Sequence, residues 1–126
     1  MRGEIWIADL PKIGNTSIQH GVRPVVIWSN KKCNKYSSII SVFPITSQNK
    51  KKLPTHITIG KNDGLLRKSI VLAEQPRSIS KDMLISKAGE CSKKTMAKIN
   101  TAILIQSGLD VTVKSYINKK IRIKAV

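Results

Sequence analysis

The chain has 126 residues, 40% of them hydrophobic, with 23 Lys+Arg against 7 Asp+Glu, a formal net charge of +16 at pH 7. That length suits one domain with a modest core, and that hydrophobic content excludes a disordered chain. A positive field of this size favours a polyanionic partner, most simply nucleic acid, although 18 of the cations are lysines, the default solvated surface charge.

Taken in order, GEIWIADL (3–10) alternates Ile5 and Ile7 against Trp6 and Ala8 and is expected as a strand. PKIGNTSIQHGV (11–22) is a Gly/Asn/Ser/Thr loop. RPVVIWSN (23–30) is apolar on both faces, as a central strand is. KKCNKYSS is expected as a polar connection, SIISVFPIT as a strand, and SQNKKK as a lysine-rich loop. LPTHITIG alternates Thr55, Ile57 and Ile59 against His56 and Thr58, a half-buried strand. KNDG is a turn, and SIVLAEQ and PRSIS are two further short strands. From Ser92 the period becomes helical, through Met96, Ile99, Ile103 and Gln106, with Ser92 as N-cap and Gly108 as the stop. DVTVKSYINKKIRIKAV alternates again and reads as a basic edge strand or tail. Many short strands followed by one helix predict a mainly β (α+β) fold, a small barrel or rolled sheet with a C-terminal helix. The division expected is one barrel-plus-helix domain over 1–110 and a basic extension over 111–126.

No apolar run reaches the length of a membrane span, and MRGEIWIADL enters a strand pattern without a leader, so a soluble cytoplasmic protein is expected. Cys33 and Cys91 form no CxxC or Cys/His cluster; free thiols and no zinc site are expected. Neither phosphate-cradling glycine motif occurs, no cofactor is called for, and the seven acids are scattered, unlike the paired carboxylates of two-metal nucleases. If the protein cuts nucleic acid, the expectation is cutting without metal. RNA allows this because its 2′-hydroxyl is a built-in nucleophile, leaving the protein to move protons and to stabilise charge on the phosphorane.

Arginine matches phosphate oxygens bidentately, and Pro24 holds Arg23 extended at the mouth of an apolar strand. Spacing leaves two readings open: an ion pair with a carboxylate such as Asp9 or Glu74, or a phosphate clamp. Thr46 closes SVFPIT, where a β-former at a strand end is the plainer reading. His20 and His56 offer an acid–base pair, weighed against two ordinary satisfied histidines. Lys50, Lys51 and Lys52 suit a solvated loop with non-specific phosphate contact.

RGEIWIADL, a Gly/Ser loop, GVRPVVIWSN, SVFPITSQ, KLPTHITI, SIVLAEQPRSI and a late helix together resemble, from about Arg2 to Leu109, the MazF/PemK family of toxin endoribonucleases. The resemblance implies an SH3-like β-barrel with helices, a homodimer, and the toxin of a toxin–antitoxin pair. It implies metal-independent cleavage of single-stranded RNA to 2′,3′-cyclic phosphate and 5′-hydroxyl ends, and a small acidic antitoxin of the MazE type laid across the RNA groove. The family's essential arginine in G-x-RP falls on Arg23, and its threonine closing IT-x-Q falls on Thr46. RNA contacts are expected from Ser17, Gln19 and His20 in the first loop. Others are expected from Ser47, Gln48 and Lys50 after the threonine, and from Gln75 and Arg77 in EQ-x-R. Ile18 departs from the pattern, which usually has a glutamate there, so the resemblance names no carboxylate base at that position; His20 stands where a small residue is usual. Two other readings stay open: a non-catalytic basic barrel that binds structured RNA, and a CcdB-like toxin that inhibits DNA gyrase.

Overall fold

The structure, a computed structural model, describes residues 1–48 and 52–109. Lys50, Lys51 and the basic extension over 111–126 lie outside the described residues. Strand β1 (Glu4–Leu10) is followed by β2 (Gly21–Ile27), helix α1 (Lys31–Tyr36), β3 (Ile39–Thr46), β4 (His56–Ile59), β5 (Ser69–Leu72), β6 (Arg77–Ser80), β7 (Leu84–Glu90) and helix α2 (Lys93–Gln106). The strands form one seven-stranded sheet in the order β4-β5-β3-β2-β1-β7, with β6 also paired to β3. Every pairing is antiparallel. The expected mainly β fold with a C-terminal helix is therefore present, but among the described residues the sheet is not closed into the expected barrel: it ends at β4 and β7, which do not pair.

The two-faced apolar run of β2 explains its central place. Val25, Val26 and Ile27 are each fully buried. Val26 joins Ile5, Phe43, Ile45, Ile57, Val71 and Ile99 on one side, while Val25 and Ile27 join Leu10, Ile40, Val42 and Ile79 on the other. Burying each such side chain stabilises the fold by about 1.5–3 kcal/mol. Strand β3 divides its side chains the same way, and α2 covers the first cluster through Ile99 and Ala102. Helix α2 begins as its sequence implies: the Ser92 hydroxyl oxygen accepts from Thr95 N at 3.1 Å, and Gly108 takes φ +75° just past the end. Gln106, by contrast, is exposed rather than core-facing.

Two elements differ from expectation. KKCNKYSS is not a plain connection but carries α1, a helix nucleated by side-chain bonds. The Asn30 side chain accepts from Lys32 N at 2.8 Å, and buried Asn34 donates to Ser29 O at 2.9 Å. Strand β7 has no counterpart in the sequence reading. It pairs with β1 through two register shifts, between Ile5 and Trp6 and between Ile7 and Ala8, which break any simple alternation along LISKAGE. The same shifts leave Ile7 only half-buried while Ala8 is fully buried. No helix among the described residues is long and apolar enough to cross a membrane.

Candidate functional site

The pairing of β2 with β3 sets Val25 against Pro44 and Ile27 against Val42. Continuing that register by two residues places Thr46 across from Arg23, so the first charged residue of β2 and the last residue of β3 meet at one end of the sheet. There they line an open cleft of about 570 Å³ together with Ser47, Gln48, Arg67 and Ser69, between apolar walls that include Val22 and Leu66.

Among the described residues Arg23 makes no ion pair; Asp9 and Glu74 do not neutralise it. Its guanidinium is instead held by neutral acceptors. Nε donates to His20 O at 2.8 Å, and Nη1 donates to Gln19 Oε1. Among the described residues, Nη2 has no protein acceptor, nor has one Nη1 hydrogen. A guanidinium positioned by neutral groups keeps its full charge for an anion. Thr46 is 4% exposed, and its hydroxyl oxygen accepts from Gln48 N at 3.2 Å. That bond uses one lone pair of the oxygen and leaves the hydroxyl hydrogen available to donate.

The first loop is itself supported from behind. Gln19 N donates to Gln75 Oε1 at 3.0 Å, and Arg77 Nη1 donates to Gln19 O at 3.0 Å. Gln75 and Arg77, expected to touch RNA, thus grip the residue that grips Arg23, and neither lines the cleft. Partial burial lowers the pKa of Arg77 from the ordinary guanidinium value. Of the residues expected to contact RNA, Ser47 and Gln48 line the cleft, Ser17 and His20 stand exposed in the loop outside it, and Lys50 falls among the undescribed residues. Ile18, half-buried, follows a turn in which its N–H donates to Thr16 Oγ1 at 3.3 Å.

The two histidines do unrelated things. His20 contributes its backbone carbonyl to Arg23. His56 has both ring nitrogens engaged: Nε2 lies 2.9 Å from Glu74 Oε2, and Nδ1 accepts from Leu53 N at 3.3 Å. This is the satisfied histidine of the plainer reading, and neither imidazole lines the cleft that holds Arg23.

Arg67 is the cleft residue that sequence reasoning missed. It sits on the 64–68 loop with Leu66, which is 96% exposed. The loop is placed by a backbone contact between two glycines. A Cβ on Gly89 would lie 2.4 Å from Asp63 O and 3.2 Å from Gly64 Cα, and Gly64 takes φ +85°. Buried Asp63 fixes the same corner, accepting from Ser92 N at 2.9 Å and from Gly60 N at 3.4 Å. The signal in the sequence was KNDG followed by two leucines and an arginine, a turn presenting apolar and cationic groups together. Among the described residues, no three His, Cys, Asp or Glu side chains are grouped to hold a metal ion.

Comparison with known proteins gives this cleft a context. Residues 1–106 match the family described as PemK-like, MazF-like toxin of type II toxin–antitoxin systems. Over 117 residues the chain is 42% identical to Endoribonuclease MazF of Staphylococcus saprophyticus, covering 91% of this chain and 96% of that relative. Among solved structures, an endoribonuclease from a mycobacterial species in complex with its cognate antitoxin superposes with a TM-score of 0.72 at 29% identity, covering 86% of this chain and 95% of that one. MazF from Deinococcus radiodurans, at 22% identity and a TM-score of 0.70 over 85% and 94% of the two chains, shares the fold. A basic chain with an unpaired arginine facing a threonine at one sheet end, matched along nearly all its length by these relatives, belongs to the PemK-like, MazF-like toxin family.

Proposed function

We propose that this chain is the endoribonuclease toxin of a type II toxin–antitoxin pair, cutting single-stranded messages at a short sequence, without metal, and so inhibiting translation. The observation that carries the reading is Arg23, held by neutral acceptors opposite Thr46 with donors left for an anion. In the proposed reaction the RNA 2′-oxygen attacks the adjacent phosphorus and the bond from phosphorus to the 5′-oxygen breaks. The 2′-hydroxyl loses a proton, the departing 5′-oxygen gains one, and the products are a 2′,3′-cyclic phosphate and a 5′-hydroxyl. Arg23 neutralises the charge that builds on the phosphoryl oxygens, and Thr46 donates a hydrogen bond to one of them; both interactions strengthen as the phosphorane forms. Arg67 faces the same space and adds a second positive charge.

The partners follow the same reading. The chain acts in the cytoplasm as a homodimer, its sheet a strongly curved variant of the family's SH3-like fold, with 111–126 as a basic extension. A small acidic antitoxin occupies the RNA groove; the +16 charge supports this, as does a similar mycobacterial endoribonuclease solved with its cognate antitoxin.

The test is incubation of the purified protein with a long single-stranded RNA in EDTA, followed by sequencing of the ends. Discrete cuts bearing cyclic phosphate, absent with Arg23→Ala, are expected. RNA bound but left intact in EDTA and in magnesium alike refutes the endoribonuclease reading.

A further inference from the structure

The cleft does not end at Gln48. Ser47 and Gln48 also line a second hollow of about 400 Å³, continued by Lys52, His56, Thr58, Lys68 and Ile70. Strand alternation builds it. Ile57, Ile59 and Val71 turn into the core, so His56, Thr58 and Ile70 face outward, and Thr58 lies directly opposite Ile70 across the β4–β5 pair. Lys68, two residues before Ile70, and Lys52, before β4, bring two ammonium groups to the rim. Neither lysine takes part in any of the four ion pairs among the described residues, of which only His56–Glu74 touches the hollow, and no described carboxylate lines it. The adjacent acid, Glu74, is already committed to His56 and, at 3.4 Å, to Thr55 Oγ1. Through Nδ1, His56 also fixes the amide of Leu53, the residue next to Lys52.

We infer that this hollow is a second phosphate subsite, receiving the phosphodiester adjacent to the one cut between Arg23 and Thr46. The inference rests on the endoribonuclease reading and extends it. Two un-neutralised cations in a concave polar setting select an anion. Continuity through Ser47 and Gln48 selects a chain already lying in the cleft, and Ile70 with Thr58 lies at the floor between the two lysines. RNA passing from Arg23 over Ser47 and Gln48 meets Lys52 and Lys68 next. The subsite makes binding depend on RNA length beyond the cut site.

Mapping the cut on a long RNA supplies a minimal RNA spanning it and RNAs extended by one to three nucleotides on either side. Extension on one side is expected to lower the wild-type KM by about fivefold, the scale of one exposed charge contact. The double variant Lys52→Gln/Lys68→Gln is expected to lose that gain. Binding of the extended RNA by protein carrying Arg23→Ala is expected to show a log–log salt slope about 0.7 shallower when the two lysines are also replaced, the share of one single-strand phosphate. Both lysines are exposed, so their loss leaves the core intact. A double variant that keeps the length gain and the original salt slope overturns the inference. So does one that keeps both RNA properties but loses affinity for polyglutamate, which assigns the hollow to an acidic polypeptide. RNA left uncut by the wild type overturns the endoribonuclease reading instead, and the salt slope of the uncut RNA then decides the subsite alone.

Discussion

Replacing Thr46 by valine separates the two explanations for a threonine at the end of β3. Valine has nearly the same volume and is at least as good a β-former, so a residue serving only the strand is not harmed by the change. The structure bounds what else is lost. Thr46 is 4% exposed, and its hydroxyl makes one protein hydrogen bond, accepting from Gln48 N at 3.2 Å. Gln48 is exposed, so water replaces that acceptor, and the cost to stability falls near the low end of a net hydrogen bond, about 0.5–1 kcal/mol. A melting temperature lower by roughly 2–6 °C follows for a domain of this size. The effect on cleavage is far larger if the hydroxyl donates to the phosphorane: removing one preorganised donor lowers kcat by about 10²–10³-fold. Thr46→Ser keeps the oxygen and its hydrogen while giving up the methyl, so serine recovers most of the activity at some loss of stability. The assay is single-turnover cleavage of a mapped RNA, paired with thermal melts of all three proteins. Valine protein that cuts within threefold of wild type refutes the role given to this hydroxyl, whatever the melts show.

Arg23→Lys keeps the charge but has one nitrogen where the guanidinium uses two to hold position and still has donors to spare; a loss in kcat/KM of about 100-fold is expected, and a lysine protein retaining a tenth of the activity speaks against a bidentate clamp. Gly89→Ala drives a methyl to 2.4 Å from Asp63 O, so urea unfolding is expected to show a loss of about 1–3 kcal/mol, and an unchanged midpoint refutes the close contact. Cys33 is exposed, whereas burial, followed by the charges of Asp63 and Glu90, pushes the Cys91 thiol up to about 12. Native protein at pH 8 is therefore alkylated at Cys33 only, as mass spectrometry would read; equal labelling at Cys91 contradicts the placement. The folded value lies above the ordinary thiol value of 9.0, so the stabilisation from this group is complete below about pH 9 and is lost as pH rises towards 12. Cys91→Ala flattens that part of the urea midpoint–pH curve.

What was legible in the sequence was what local pattern encodes. The two-faced run in β2, the alternation in β4, and the Ser92 cap with Gly108 each report their own surroundings, and each stands where its pattern put it. Helix α1 was hidden because six residues are too few for a helical period, and its stability comes from side-chain bonds of Asn30 and Asn34. Strand β7 was hidden because its bulged pairing with β1 erases alternation, a constraint that only the partner strand reveals. Within the site, G-x-RP and IT-x-Q marked Arg23 and Thr46. Arg67 was not marked, because its position depends on two glycines brought together from opposite sides of β5 and β6. The neutral acceptors around Arg23 were equally unreadable: spacing cannot say whether an arginine finds a carboxylate or a glutamine.

The support behind Gln19 has a consequence in time. Arg23, Thr46, Ser47, Gln48, Arg67 and Ser69 have all been synthesised before residue 75 is added, so a growing chain owns its cationic and hydroxyl cleft groups early. The side chains that brace the first loop, Gln75 and Arg77, come later, and the glycine that seats the Arg67 loop comes later still. Until those arrive the guanidinium sits on an unbraced loop, free to wander among rotamers. The groups that brace the cleft therefore follow in the chain the groups that line it, so the geometry around Arg23 is completed from later sequence than its charge.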